Sequence, residues 1–262
     1  MTPILATSLT IGGAGLACSG LLALAARFLS VEEDPRVEEV TNILPGANCG
    51  GCGFAGCANY AEAIIVDNAA INLCAPGGAD VLKSLADMLG QTAQAAEHKV
   101  AIVLCNGDTA NAPRKFEYNG VADCHAAHAI GGGDKLCSYG CLGYASCARV
   151  CPVGAIEMTG GIAKVHPDLC ISCTACVKAC PRQLIKMVPS ARTIHVLCSS
   201  KDKGPAVKKA CKVGCIGCTL CTKQVDDEQI KMEGFLAVVD YAKPLDSDAP
   251  IEKCPTHCIV RT

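Results

Sequence analysis

Cys170-Ile-Ser-Cys173-Thr-Ala-Cys176-Val-Lys-Ala-Cys180-Pro181 is the stretch that decides the fold of this chain. Its spacing, C-x2-C-x2-C-x3-C-P, lets three close thiolates converge on one iron–sulfur cube while the fourth reaches a neighbouring cube. Pro181 fixes φ and removes a backbone donor where the chain leaves the cluster. Zinc sites usually bring two C-x2-C pairs on separate knuckles, and a redox disulfide needs only one pair. The stretch therefore predicts two [4Fe–4S] clusters.

Composition agrees with this chemistry. The chain has 262 residues and 22 cysteines, which is too long for a typical disulfide-stabilised miniprotein. Because the cysteines bunch at metal-ligand spacing, we expect a reducing, cytoplasmic setting for most of the chain. The 23 basic and 25 acidic residues nearly balance, which gives no reason to expect a nucleic-acid partner.

The region after residue 120 duplicates itself. A constant offset of 74 residues links five pairs of cysteines, namely Cys124 with Cys198, Cys137 with Cys211, Cys141 with Cys215, Cys147 with Cys221 and Cys180 with Cys254. We interpret this as an α+β protein with two tandem ferredoxin-like units, a two-cluster unit at residues 120–188 and a degenerate one-cluster unit at residues 194–262.

The ligands of the first unit are predicted from the pattern of two-cluster ferredoxins, in which the fourth cysteine of each run binds the cluster of the other run. Tyr144 stands where the middle cysteine of the first run would lie, so Cys137 is the predicted substitute. One predicted cluster is bound by Cys137, Cys141, Cys147 and Cys180, and the other by Cys151, Cys170, Cys173 and Cys176.

Only one cluster is expected in the second unit. Its predicted ligands are Cys215, Cys218, Cys221 and Cys254. The counterparts of the other four ligands are Val225, Pro244, Ser247 and Pro250, so that set is lost as a whole.

Five cysteines remain, namely Cys105, Cys124, Cys198, Cys211 and Cys258. Cys105 and Cys198 each follow an apolar run that predicts a buried strand. We interpret these two as structural buried thiols. The alternatives are a fifth metal site drawn from Cys105, Cys124, Cys198 and Cys211, and competition between Cys211 and Cys218 as a ligand.

A further cluster is predicted in a small helical domain at residues 31–90. Its ligands are Cys49, Cys52, Cys57 and Cys74, and the glycines beside the first three allow backbone N–H groups to approach the sulfurs. An all-thiolate zinc site is the alternative. Helices are predicted over residues 58–73 and 81–89, followed by a linker and strand at residues 91–119. The total prediction is four clusters.

Residues 1–30 are apolar and carry one charge near their end, Arg27. About 20 apolar residues span a bilayer as a helix, which predicts a single transmembrane helix. The basic side chain after the span places the cluster domains in the cytoplasm. The alternatives are a secretory signal peptide, which would need a basic n-region, and a buried soluble helix.

The order of V-E-E-D-P, N-C-G-G-C-G-F-A-G-C, C-A-P-G-G and tandem cluster motifs closely resembles the B subunit of the Rnf complex. The resemblance implies a membrane-bound oxidoreductase subunit that accepts electrons from soluble ferredoxin and passes them to flavin- and cluster-bearing partner subunits. Na⁺ or H⁺ translocation would reside in the assembled complex, and NAD or a membrane carrier would be the acceptor.

No catalytic residue is predicted, because the chain shows no nucleophile with a base and no Rossmann or flavin motif. The alternative functions are a membrane-tethered polyferredoxin subunit of another oxidoreductase or hydrogenase-like complex, and a zinc-binding scaffold or redox sensor.

Overall fold

The structure is a computed structural model that describes residues 3–28, 34–92, 97–226 and 229–262. Within these ranges the helices are α1 Pro3–Phe28, α2 Pro35–Ile43, α3 Cys57–Val66, α4 Gly78–Leu89, α5 Cys124–Ala129, α6 Ser146–Arg149, α7 Ala175–Ala179, α8 Gly204–Ala210 and α9 Ala249–Glu252. The strands are β1 Lys99–Val103, β2 Ile156–Thr159, β3 Ile162–Val165, β4 Ile185–Pro189, β5 Ile194–Val196, β6 Ile230–Glu233, β7 Leu236–Val239 and β8 Ile259–Arg261. This is the expected mixture of helices and strands.

Helix α1 covers most of the predicted transmembrane segment. A search of the described residues finds no helix that combines the length and the apolar character required to cross a membrane. The predicted transmembrane helix is therefore not supported by the structure. Residues 31–33 of the V-E-E-D-P motif and residues 93–96 of the predicted linker lie outside the described ranges.

Helices α2, α3 and α4 pack around a small core of their own. The Asp34 carboxylate caps α2 by accepting the Arg36 N–H, and Tyr60 and Leu85 are almost fully buried between the helices. The Tyr60 hydroxyl donates to the Ala70 carbonyl at 2.7 Å and accepts the Leu73 N–H at 3.2 Å. Helix α3 ends at Val66, earlier than predicted, and these two bonds fix the loop that leads to Cys74.

The two ferredoxin-like units share one topology. In each, an outer antiparallel pair encloses an inner hairpin, as β1–β4 around β2–β3 and as β5–β8 around β6–β7. Strand β1 lies before the predicted boundary at residue 120, yet it pairs with β4 over its whole length. The first unit therefore begins at β1, and we define it below as residues 99–189 and the second unit as residues 194–262.

The pairing of the outer strands changes one of the residue matches that the 74-residue offset suggested, namely that of Cys198. Val103 pairs with Ile185 in the first unit, and Val196 pairs with Ile259 in the second. Ile185 and Ile259 keep the 74-residue offset, but Val103 and Val196 are 93 residues apart, because the first unit contains an insertion with helix α5. The structural counterpart of Cys198 is thus Cys105, and Cys124 lies in the insertion.

Candidate iron–sulfur sites

The four predicted cysteines of the N-terminal region lie together, and we call them the Cys49 set (Cys49, Cys52, Cys57 and Cys74). The Asn48 side chain accepts the Cys57 N–H at 2.8 Å and holds the loop against the start of α3. Burial raises the pKa of Cys74, and the neighbouring thiolates of Cys57, Cys49 and Cys52 raise it further. Four cysteines gathered in this way are suited to bind a metal centre, whose positive charge would stabilise their thiolate forms.

A second predicted set is also brought together in the first unit. The Cys151 set (Cys151, Cys170, Cys173 and Cys176) lines one cavity with about 340 Å³ of space between its atoms. Backbone N–H groups of Ala155 and Ala101 donate to the sulfurs of Cys151 and Cys170, at 3.3 and 3.5 Å. Burial raises the pKa of Cys176 to about 11, and the thiolates of Cys173, Cys170 and Cys151 add to the effect.

The third set differs from the prediction by one residue. The Cys124 set (Cys124, Cys141, Cys147 and Cys180) lines a cavity of about 360 Å³, and Cys137 is not part of it. The Cys124 N–H donates to the Ser146 hydroxyl at 2.8 Å, which fixes Cys124 beside the helix that carries Cys147. Burial raises the pKa of Cys147 to about 12, and the thiolates of Cys141, Cys124 and Cys180 contribute.

The insertion explains why Cys124, and not Cys137, lies in this cavity. Tyr144, at the position of the missing cysteine, turns its hydroxyl to the buried Asp134 at 2.8 Å and to Arg114 at 2.9 Å. The inserted helix α5 supplies the thiol instead. The sequence offered one signal for this arrangement, because Asp123 is a typical N-cap residue and its carboxylate accepts the His125 and Ala126 N–H groups at the start of α5.

In the second unit all four predicted cysteines share a cavity of about 310 Å³ with a fifth thiol, Cys258. We call Cys215, Cys218, Cys221 and Cys254 the Cys215 set. The Cys258 and Cys254 sulfurs are 3.5 Å apart. A hydrogen bond between the two sulfurs lowers the pKa of Cys254 to about 4.

The predicted loss of the other cluster in the second unit agrees with its packing. Pro250, the counterpart of Cys176, is almost fully buried, and Leu245 and Val239 occupy the core beside it. Val225, the counterpart of Cys151, packs against the same core. Apolar side chains thus pack at two of the four positions where the first unit has cysteines, and the other two counterparts, Pro244 and Ser247, are exposed.

All described cysteines are free thiols. In the described part of the chain, no three His, Cys, Asp or Glu side chains are arranged to hold a single metal ion. Zinc binds thiolates at about 2.3 Å and so needs sulfurs in close contact, whereas a cube spreads its four ligands over a larger body. The cysteine sets of the two units each line a cavity between their sulfurs, which fits a cluster held by four thiolates.

Comparison with known families agrees with these sites. Residues 44–76 match a family described as a putative Fe-S cluster, and residues 136–184 match a 4Fe-4S dicluster domain. The chain is 40% identical to the B subunit of the ion-translocating oxidoreductase complex of Methanosarcina acetivorans, over 99% of both chains. It belongs to this B-subunit family.

Two other members of the B-subunit family are named for different ions. The B subunit of the proton-translocating ferredoxin:NAD(+) oxidoreductase complex of Clostridium ljungdahlii is 43% identical, over 94% of this chain and 88% of the relative. The Na(+)-translocating counterpart of Acetobacterium woodii is 42% identical, over 91% of this chain and 72% of the relative. Both ions therefore occur among relatives of equal similarity.

Proposed function

We propose that this chain is an iron–sulfur electron-transfer subunit of a membrane-bound, ion-translocating complex. In this proposal it accepts electrons from reduced ferredoxin and passes them to flavin- or cluster-bearing partner subunits, coupled to Na⁺ or H⁺ translocation by the assembled complex. The relatives' names and the two iron–sulfur family matches support the reaction class.

The observation that carries the proposal is the direct contact between successive cysteine sets. A Cβ atom at Gly51, in the loop of the Cys49 set, would lie 3.1 Å from the carbonyl oxygen of Cys173. Helix α7 then joins two sets, since Cys176 belongs to the Cys151 set and Cys180, which ends the helix, belongs to the Cys124 set. The Cys49, Cys151 and Cys124 sets therefore follow one another without a gap.

Each set is suited to hold a [4Fe–4S] cluster, which when bound carries single electrons. The protein's own contribution is to hold the thiolates, to direct N–H groups at their sulfurs and to exclude water, since these features tune the potential. Leu184 N–H, for example, donates to the Cys180 sulfur at 3.4 Å. We propose the Cys49, Cys151, Cys124 and Cys215 sets as ligands of four clusters.

Anaerobic mixing with reduced ferredoxin tests the proposal. We expect the visible absorbance of the cluster-loaded chain to bleach, and Cys173→Ser to lose part of that absorbance and to slow the passage of electrons to partner subunits. Cys18→Ser is the matched control, since Cys18 lies in α1 outside every set. If the clusters of the cluster-loaded chain stay oxidised after reduced ferredoxin is added, the proposal is contradicted.

Membrane location is proposed from the relatives' names, with the cluster units on the cytoplasmic side. The sequence-based prediction that residues 1–30 anchor the chain is tested by deleting them and separating membranes from soluble protein. Release of the truncated chain, with its iron retained, would support an anchor. Retention together with partner subunits would show that those subunits hold the chain.

A further inference from the structure

Four of the unassigned or reassigned cysteines line a further cavity. Cys105, Cys137, Cys198 and Cys211 line one cavity together, as the cysteines of the other sets in the two units line theirs. We call them the Cys105 set. All four are buried or half-buried, and all are free thiols.

Two of these four sulfurs accept a backbone N–H. Cys141 N–H donates to the Cys105 sulfur at 3.3 Å, and Ser200 N–H donates to the Cys198 sulfur at 3.5 Å. Burial raises the pKa of Cys137, Cys198 and Cys211. A positively charged metal centre would offset that effect, because it stabilises the thiolate form that ligates iron.

Three glycines keep the cavity open. A Cβ atom at Gly107 would lie 3.0 Å from the Cys211 sulfur, and one at Gly140 would lie 3.5 Å from the Cys137 sulfur. At Gly214 it would lie 2.4 Å from Val207 and 3.6 Å from the Cβ of Cys211. Side chains at these positions would fill the space between the four thiols.

The two units contribute equivalent halves. Cys105 and Cys198 each lie two residues beyond the last residue of β1 and β5. Cys137 and Cys211 keep the 74-residue offset. The strand ends are joined across the halves, since Asn106 N–H donates to Leu197 O at 3.1 Å and Ser199 Oγ donates to Leu104 O at 2.9 Å. Four chemically equal ligands in two symmetric pairs suit a symmetric cube.

Two cations lie between this cavity and the Cys124 set. The buried Lys135 ammonium donates to the Gly107 and Cys141 carbonyl oxygens. The Arg182 guanidinium donates to the Cys137 carbonyl at 3.0 Å and to the Gly140 carbonyl. Burying two cations is costly unless anions lie nearby, and thiolate-ligated clusters on both sides would supply that negative charge.

We propose that Cys105, Cys137, Cys198 and Cys211 bind an additional [4Fe–4S] cluster at the junction of the two units. This inference deepens the proposed function and rests on it. The cluster would take one electron from its neighbour on one side and release one to its neighbour on the other, without proton transfer.

The neighbours of these cysteines give this site its place between the other sets. Cys141 of the Cys124 set donates its N–H to the Cys105 sulfur at 3.3 Å. On the other side, Cys215 of the Cys215 set lies close enough to Cys198 to help raise the pKa of that thiol. The Cys105 set connects the second unit's cluster to the row that begins at the Cys49 set.

Iron and acid-labile sulfide in the anaerobically purified full chain test the site. We expect about twenty irons and twenty sulfides per wild-type chain, and a loss of about four of each in Cys105→Ser/Cys198→Ser. Serine retains an acceptor for the Cys141 and Ser200 N–H groups. Cys18→Ser is the control and should lose none. About sixteen irons in both the wild type and the double variant would overturn the proposal, as would one zinc per wild-type chain that only the double variant lacks.

A spin count on the fully reduced wild-type chain decides the matter independently of how the variant folds. About five reduced clusters per chain support the site, and four overturn it. Failure here is distinct from failure of the proposed function, because a four-cluster chain that ferredoxin still reduces would overturn only the additional site.

Discussion

The first unit and the second unit keep the same strand pairs, yet they differ at four corresponding positions. In the first, Cys151, Cys170, Cys173 and Cys176 line a cavity. In the second, Pro250 is buried and Val225 packs against the core, whereas Pro244 and Ser247 are exposed. The comparison teaches that the same strand pairs form with or without this cysteine set, and that the four cysteines are replaced together.

The units also differ in the cysteines that line their equivalent cavities. The second has Cys218 from its own cysteine run, whereas the first has Tyr144 at that position and Cys124 from the insertion lines its cavity. The backbone around the two positions is nearly the same. Gly143 and Gly217 have φ of 84° and 69°, and Ala145 and Thr219 have φ of 60° and 58°.

The largest expected effect comes from exchanging these ligands. Cys124→Ser should lose about four irons and four sulfides per chain, and adding Tyr144→Cys should restore them, since the matching backbone directs residue 144 as it directs Cys218. Iron and sulfide analysis of the single and double variants measures this.

Cys137→Ser is the matched control for that exchange. It should lose a cluster that Tyr144→Cys does not restore, because Cys137 lies in the other cavity. Rescue of Cys137→Ser by Tyr144→Cys, without rescue of Cys124→Ser, would return Cys137 to the ligand set that the sequence predicted.

The next effect concerns the apolar replacement. Leu245→Ala should lower the free energy of unfolding by about 2–5 kcal/mol, because Leu245 is 5% exposed and its removal leaves a cavity. Its counterpart Ile171 is half-buried beside the Cys151 set, so Ile171→Ala should cost less. Chemical unfolding under anaerobic conditions compares the two, and equal losses would mean that the second unit does not depend on this core.

His195 gives the second unit a pH dependence. It is 1% exposed, its Nδ1 lies 3.0 Å from the Tyr241 hydroxyl, and burial lowers its pKa from 6.5 to about 4. Between these values the unfolded chain binds a proton that the folded chain does not. The contribution of neutral His195 to the free energy of unfolding is therefore fully present above pH 6.5. It decreases by up to about 3 kcal/mol as the pH falls towards 4.

The free energies of unfolding of the wild type and of His195→Gln, determined at several pH values, measure this contribution of His195. The difference between the two chains should shrink as the pH falls from 6.5 to 4, because only the wild type has the titrating imidazole. Parallel curves would show that His195 does not titrate differently on unfolding. The comparison also subtracts acid effects on the clusters, which both chains share.

The smallest effect is at the edge of the second unit. Arg261 of β8 pairs with Asp248 before α9 at 2.7 Å, with both side chains about half exposed, 43% and 58%. Its counterpart in the first unit is Met187. Arg261→Met should change the free energy of unfolding by less than about 1 kcal/mol, since exposed ion pairs contribute little. A larger loss in the same unfolding experiment would make this pair a specific requirement of the second unit.

Local spacing was enough to predict much of the site. Three cysteines within seven residues, as in Cys170–Cys176, must lie close together in any fold, and the 74-residue offset identified the duplicated unit. The runs before Cys105 and Cys198 predicted strands, which β1 and β5 confirm. Lys135 and Arg182 were missed, because nothing in the sequence distinguishes a buried cation from a surface one.

The sequence by itself predicted the iron–sulfur chemistry, the duplication and the absence of four cysteines from the second unit, because these depend on residue types at short, fixed spacings. Only the tertiary structure decided that Cys124, and not Cys137, lies with Cys141, Cys147 and Cys180, and that Cys105, Cys137, Cys198 and Cys211 meet at one cavity. Those contacts join residues far apart in the chain and in two different units. Their proximity is set by strand pairing and by the insertion, neither of which a cysteine spacing records.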